Sequence, residues 1–212
     1  LCFIVGAPVK HNSKLYNCAL VCQGGKILGI VPKQYLPNYS EFYEKRWFKP
    51  YNENDIIENT FFGEADTVPF GRNLLFDMSR ATFSVEICED LWSVIPPSSY
   101  HAQAGAQLLF NLSASTELIG KQQYLKSLLS QQSARCLASY IYAGAGFGES
   151  TTDVVYAGNA FIYENGHLLA EAKRFQLDEQ LIISEVDIEL IDAERRKNTT
   201  FVAEASPKDY HK

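Results

Sequence analysis

Two residues of this sequence have the type and setting for amide chemistry: Cys88, within SVEICEDLW, and Lys33, within VPKQYLPNY. A β-branched, apolar run closes at Ile87, so Cys88 takes the strand-end position of a nucleophile. The thiolate is the reactive form, and the neighbouring carboxylates of Glu89 and Asp90 disfavour it unless a cation lies close. Lys33 is the candidate cation, because it follows the run 26–32 and opens an irregular loop, and strand ends converge at one edge of a sheet. A lysine there would favour the thiolate and donate to the oxyanion of a tetrahedral intermediate in a water-poor site. Together the pair would suit acyl transfer. Residue type alone argues the other way, since free cysteines are mostly buried and lone lysines mostly solvated.

The elements that must position these groups are strands first. Apolar runs of strand length occur at 2–5, 15–22, 26–32, 82–87, 108–112, 140–145, 154–163 and 181–186, rich in β-branched and aromatic residues and bounded by Gly, Pro or Asn. Gly24-Gly25 and Asn165-Gly166 are hairpin signals. Helices are predicted over 97–104, over 121–139 with apolar residues near helical spacing, and over 187–197, which is acidic then basic as the helix dipole favours. The mixture predicts an α/β layered fold. Segments 33–60 and 113–120 interrupt it as long or polar loops, the usual carriers of function. The opening run, 1–8, has no initiator methionine and no signal-peptide pattern, and reads as a buried strand entered in mid-fold.

Composition removes several classes of function. With 212 residues, 46% of them apolar, the chain can bury a sizeable core. The longest apolar runs fall far short of the roughly 20 residues of a membrane-spanning helix. A net charge of −6 with interspersed signs is unlike a nucleic-acid-binding stripe. Five irregularly spaced cysteines and four scattered histidines suit a reducing, cytoplasmic setting and give no metal-ligand spacing. The glycines of AGAGFGES leave one strand and approach another rather than opening a helix, so they fit tight turning better than a phosphate cradle.

Three strings, PKQYLPNYSEFYEKRWF, EICEDLW and NLSAS, in this order and spacing, resemble the nitrilase superfamily, and more narrowly the glutamine-hydrolysing domain of NAD synthetases. The likeness runs from LCFIVGAPVKHNSKLYNCA to SEVDIELIDAERR. The extended LPNYSEFYEKRWF string discriminates among nitrilase relatives. The resemblance implies a nitrilase-like αββα sandwich, incomplete at the N-terminus, over residues 1–200, with 201–212 beginning a linker toward a synthetase domain.

By the same resemblance Cys88 is the nucleophile, Lys33 the oxyanion stabiliser and Glu44 the second glutamate that positions the lysine. Tyr39 and Ser115 resemble residues that contact glutamine. Lys121 stands where the family carries a basic residue facing the ligand's α-carboxylate, and keeps the charge without an arginine's bidentate fork. Glu89 follows the nucleophile, where its N–H could face the oxyanion and its carboxylate the substrate ammonium. For Trp92, core packing is the simpler role, and for Ser113 a turn. The family's general base, a glutamate upstream of the first string, matches no residue here. The implied reaction is hydrolysis of L-glutamine through a cysteine thioester, the ammonia serving ATP-dependent amidation of deamido-NAD. The resemblance places ATP and Mg in the synthetase domain and no cofactor in this one, and implies a homo-oligomer. The alternatives are a stand-alone nitrilase-type amidase or carbamoylase, and a fragment inactive for want of its base. A Cys-His-Glu glutaminase is disfavoured because Cys88 lies between Ile87 and Glu89 and not in a Gly-x-Cys-x-Gly elbow.

Overall fold

The computed structural model describes residues 1–52, 57–60, 67–149 and 154–201, with backbone alone for 57–60. In chain order the strands and helices are β1 (Cys2–His11), β2 (Lys14–Gln23), β3 (Lys26–Pro32), β4 (Ile57–Thr60), β5 (Thr67–Phe70), β6 (Phe76–Asp77), β7 (Thr82–Ile87), α1 (Pro97–Gln103), β8 (Leu108–Ser113), α2 (Lys121–Cys136), β9 (Ser139–Gly144), β10 (Ala160–Glu164), β11 (His167–Glu171) and α3 (Ile188–Lys197). Short 3₁₀ turns cover Glu44–Arg46 and Cys88–Trp92. The expected linker from 202 onward lies outside the described residues.

Two sheets form, ordered β1-β2-β3-β5-β4 and β11-β10-β9-β8-β7-β6. Alternation along the strands explains how they stack. On β2, Ala19 and Val21 turn one way, while Tyr16, Cys18 and Leu20 turn the other. The first pair meets Phe83, Val85 and Ile87 of β7 in a core shared by both sheets. The second set packs with Ile30, Tyr51 and Phe70 on the far face of the first sheet. Leu109, Tyr140 and Phe161 point away from the sandwich interior and bury Leu125 and Leu129 of α2 against the second sheet. The described residues thus supply both sheets and the helical layer over the second one.

Local sequence sets the boundaries. Gly24 and Gly25, at φ +58° and +77°, make the two-residue turn between β2 and β3, and Asn165-Gly166 does the same between β10 and β11. Pro97 opens α1, where its missing N–H costs nothing. Asp187 caps α3 by accepting the Leu190 N–H at 2.8 Å, and the helix closes on Arg195, Arg196 and Lys197. Leu137 adopts a left-handed φ of 43° and ends α2 at Cys136, three residues earlier than apolar spacing predicts.

Three expectations are corrected. The run 2–5 belongs to a ten-residue strand, at an edge among the described residues, that is not buried: Cys2 and Ile4 pack against the intersheet core, while Phe3 and Val5 point to the other face and are 49% and 43% exposed. The ladder expected over 154–163 begins at Ala160, since Gly158 at φ +70° turns the chain first. The segment 181–186 joins no ladder among the described residues, and Leu181 and Ile183 stay exposed. Ile182, Ser184 and Val186 are partly buried on the other side, so the segment has a half-buried face but no strand to pair with among the described residues.

Candidate active site

Strands β7, β8 and β9 run parallel, with Ile87 opposite Leu112 and Leu112 opposite Ala143, so their C-terminal ends emerge at one edge. Ligand sites in such sheets form there. The end of β3 from the other sheet reaches the same place. A cavity of about 540 Å³ opens between them, lined among others by Asn17, Lys33, Glu44, Cys88, Ser113 and Gly144. That volume suits a small molecule.

Cys88 is the first residue of the 3₁₀ turn, buried at 8% exposure, with a left-handed φ of 47° that a non-glycine residue adopts only under constraint. Its N–H donates to Asn111 Oδ1 at 3.1 Å. Lys33 is 3% exposed, and its Nζ donates to Glu44 Oε2 at 2.5 Å. The other oxygen of Glu44 accepts from Asn17 Nδ2 at 2.7 Å. A buried ammonium with a fixed counter-charge is held in place, and Lys33 lines the same cavity as Cys88.

The other residues expected to contact substrate, Tyr39, Glu89, Ser115 and Lys121, do not line this cavity; Tyr39, Glu89 and Lys121 lie near it, close enough for Cys88 and Glu89 to act on the charges of Tyr39 and Lys121. Tyr39, 56% exposed, donates its hydroxyl to Glu89 Oε1 at 2.7 Å, and burial together with that carboxylate pushes the Tyr39 phenol up. Lys121 opens α2, half-buried over the Trp92 ring at 5.3 Å, and donates to the Thr116 carbonyl at 2.8 Å. Burial lowers its pKa, against the pull of nearby acids. Thr116 in turn donates to Glu41 at 2.8 Å. Ser115 is partly buried in the loop after β8, which also turns Ala114 into the cavity. Trp92 is partly buried against the helix-side core and stacks on Tyr124 at 5.5 Å. Ser113 is not a turn residue: it ends β8, lines the cavity and accepts the Tyr142 hydroxyl at 2.8 Å.

Three residues around the pair, Asn17, Asn111 and Glu86, escaped the sequence reading, and a fourth, Asp90, was read there only as a charge disfavouring the thiolate. Asn17 is one polar residue within an apolar strand; Asn111 begins NLSAS; Glu86 and Asp90 flank Cys88 within EICEDLW. Polar residues inside buried runs were the available signal. Glu86 is fully buried behind the turn, accepts the Ser98 N–H at 2.7 Å and the Tyr140 hydroxyl, and is pushed up by burial.

Comparison with known proteins shows the family and the fold. A glutamine-dependent NAD(+) synthetase of Mycobacterium tuberculosis is 46% identical over 202 residues, 93% of this chain and 29% of that protein. The human enzyme of the same name is 30% identical over 87% of this chain and 27% of its own length. This chain therefore spans less than a third of these curated relatives. A crystal structure of a glutamine-dependent NAD(+) synthetase from Cytophaga hutchinsonii superposes with a TM-score of 0.73 at 29% identity, covering 82% of this chain and 28% of that one. A carbon-nitrogen hydrolase from Helicobacter pylori shares the fold, at a TM-score of 0.75 and 20% identity over 97% of this chain and 68% of that one. Residues 1–196 match the carbon-nitrogen hydrolase family, with its nitrilase-like fold, and the chain belongs to that family.

Proposed function

We propose that this chain is the glutamine-hydrolysing portion of a glutamine-dependent NAD synthetase. The observation that carries the reading is the shared cavity of Cys88 and Lys33, with Glu44 fixing the lysine. The Cys88 thiolate attacks the side-chain amide carbon of L-glutamine. Lys33 donates to the resulting oxyanion, the carbon–nitrogen bond breaks, and the nitrogen leaves with an added proton as ammonia. Water then cleaves the γ-glutamyl thioester and returns the thiol. Near the cavity stand opposite charges, Glu89 and Lys121, that suit the α-ammonium and α-carboxylate of an amino acid, and Tyr39 and Ser115 are the further glutamine contacts that the family resemblance implies. Proton transfer in both steps falls to a general base that the family resemblance places upstream of the first string. Loss of such a group costs on the order of 10² to 10⁴ in rate, so this chain alone is expected to be nearly inactive.

In the parent protein the ammonia feeds ATP-dependent amidation of deamido-NAD in a synthetase domain, which holds the ATP and Mg; no cofactor is assigned to this domain. We place the parent in the cytoplasm as a homo-oligomer without nucleic-acid or membrane partners. Among the described residues no helix is long and apolar enough to cross a membrane. The test is Cys88→Ala in the parent: glutamine-driven NAD synthesis disappears while ammonia-driven synthesis persists. Equal loss of both, or retention of both, sinks the reading.

A further inference from the structure

Asp90 sits two residues past Cys88 and is 1% exposed. Its Oδ2 accepts the N–H of Ile87 at 2.9 Å, a local bond that closes the 3₁₀ turn and that a capping role explains fully. Its Oδ1 does something capping does not require. It accepts the N–H of Gln34 at 3.1 Å and of Tyr35 at 2.8 Å, across 56 and 55 residues of sequence. These donors follow Lys33 directly, and the third precedes Cys88 directly. One carboxylate thus bridges the main chain on which the ammonium is carried to the main chain on which the sulfur is carried.

The arrangement is costly to bury. Burial pushes Asp90 up to about 7, Glu86 adds to that, and the Ile87 and Tyr35 N–H groups and the Lys33 ammonium pull the other way. An apolar residue would fill the space without that cost, but it would leave the Gln34 and Tyr35 N–H groups without their carboxylate acceptor.

We infer that Asp90 is a positioning residue, whose carboxylate sets the distance between Lys33 and Cys88 by tying the lysine loop to the nucleophile turn. The inference rests on the reading of Cys88 and Lys33 as the reacting pair. It deepens that reading by naming what aligns them across two sheets.

Charge and position make opposite forecasts for Asp90→Asn. Removing an anion near the sulfur would by itself favour thiolate and speed alkylation. Releasing the lysine loop would slow it, since an asparagine presents one acceptor oxygen and turns an NH₂ toward a main-chain donor.

The test is site-resolved alkylation of native protein with iodoacetamide at neutral pH, followed by mass spectrometry. It reads thiolate supply and needs no general base. In the unsubstituted chain Cys88 should react faster than glutathione, and faster than buried Cys136, whose thiol is pushed up to about 12. Failure of that result alone removes the Cys88–Lys33 reading, whatever Asp90 does. If it holds, Asp90→Asn should slow Cys88 by on the order of tenfold. Lys33→Gln should slow it similarly, and the double variant should be no slower than Lys33→Gln alone. A rate for Asp90→Asn equal to or above the unsubstituted one, or losses that multiply in the double variant, overturns the inference. If Asp90→Asn loses its native circular dichroism, Asp90→Glu replaces it, keeping the charge while displacing both oxygens, with the same slowing expected.

Discussion

Asn111 accepts the backbone N–H of Cys88 through its side-chain carbonyl at 3.1 Å, and its own amide nitrogen donates to the Tyr140 hydroxyl at 3.1 Å. Tyr140 donates onward to the buried Glu86. The left-handed turn at residue 88 is therefore held from behind by a chain of hydrogen bonds crossing β7, β8 and β9. A non-glycine residue in that conformation costs about 1–3 kcal/mol, and persists where its surroundings over-determine it.

Substituting Asn111→Leu keeps the branched shape and removes the acceptor, leaving the Cys88 N–H without its side-chain partner and the Tyr140 hydroxyl short of one. The expected destabilisation is about 1–3 kcal/mol, read as a lower urea midpoint at unchanged slope. An unaltered midpoint would mean that the turn supports itself.

Glu44→Gln should cost more, because it leaves the Lys33 ammonium buried at 3% exposure beside a neutral amide. Breaking one side of a buried ion pair typically costs about 3–5 kcal/mol, whereas replacing both partners with apolar residues is often close to neutral. Lys33→Met with Glu44→Leu should therefore unfold at a higher urea concentration than Glu44→Gln alone. If the double variant is the less stable, the pair contributes more than its geometry implies.

His101 gives a pH dependence of known sign. Burial holds it near 4 against an ordinary value of 6.5, so the folded state keeps it neutral where the unfolded chain takes up a proton. Its contribution is complete above pH 6.5 and is lost as pH falls toward 4, by about 3 kcal/mol at about 1.4 kcal/mol per unit. Asp90 runs the opposite way: raised from 3.8 to about 7, it favours folding at low pH and loses that contribution as pH rises through 7. The informative quantity is a difference between proteins. Urea unfolding of His101→Gln from pH 4 to 6.5 should show a flatter dependence than the unsubstituted chain, and parallel curves would contradict this.

Gly144 ends β9 on the cavity wall, and a Cβ there would lie 2.7 Å from the Asn159 carbonyl oxygen, a backbone atom that cannot swing aside. Gly144→Ala is expected to destabilise by about 1–3 kcal/mol through overpacking. Thermal unfolding at the wild-type temperature would show that the β9–β10 connection yields without strain.

What was legible in the sequence followed chemical signals of different kinds. Gly24-Gly25 and Asn165-Gly166 announced their hairpins because glycine marks positive φ. Asn12-Ser13 makes an equivalent turn between β1 and β2, at φ 46° and 62°, and passed unnoticed because neither residue is glycine. Cys88 and Lys33 were singled out by strand-end position and by the family strings around them, since residue type alone argued against both. Their support was not, since the bonds of Asp90 to Gln34 and Tyr35, and of Asn17 to Glu44, join segments far apart in sequence. No local period encodes such pairings. The segment 181–186 has the composition of a strand, yet composition does not supply a neighbour to pair with.

Because Lys33 leaves one sheet and Cys88 the other, their alignment reports how closely the two halves of the sandwich are docked. A slight parting of the layers, too small to melt either ladder, would separate ammonium from sulfur. Under mild heating or dilute urea, sulfhydryl reactivity at position 88 should therefore fade while the far-ultraviolet spectrum is still intact, making the site an early gauge of interlayer slippage.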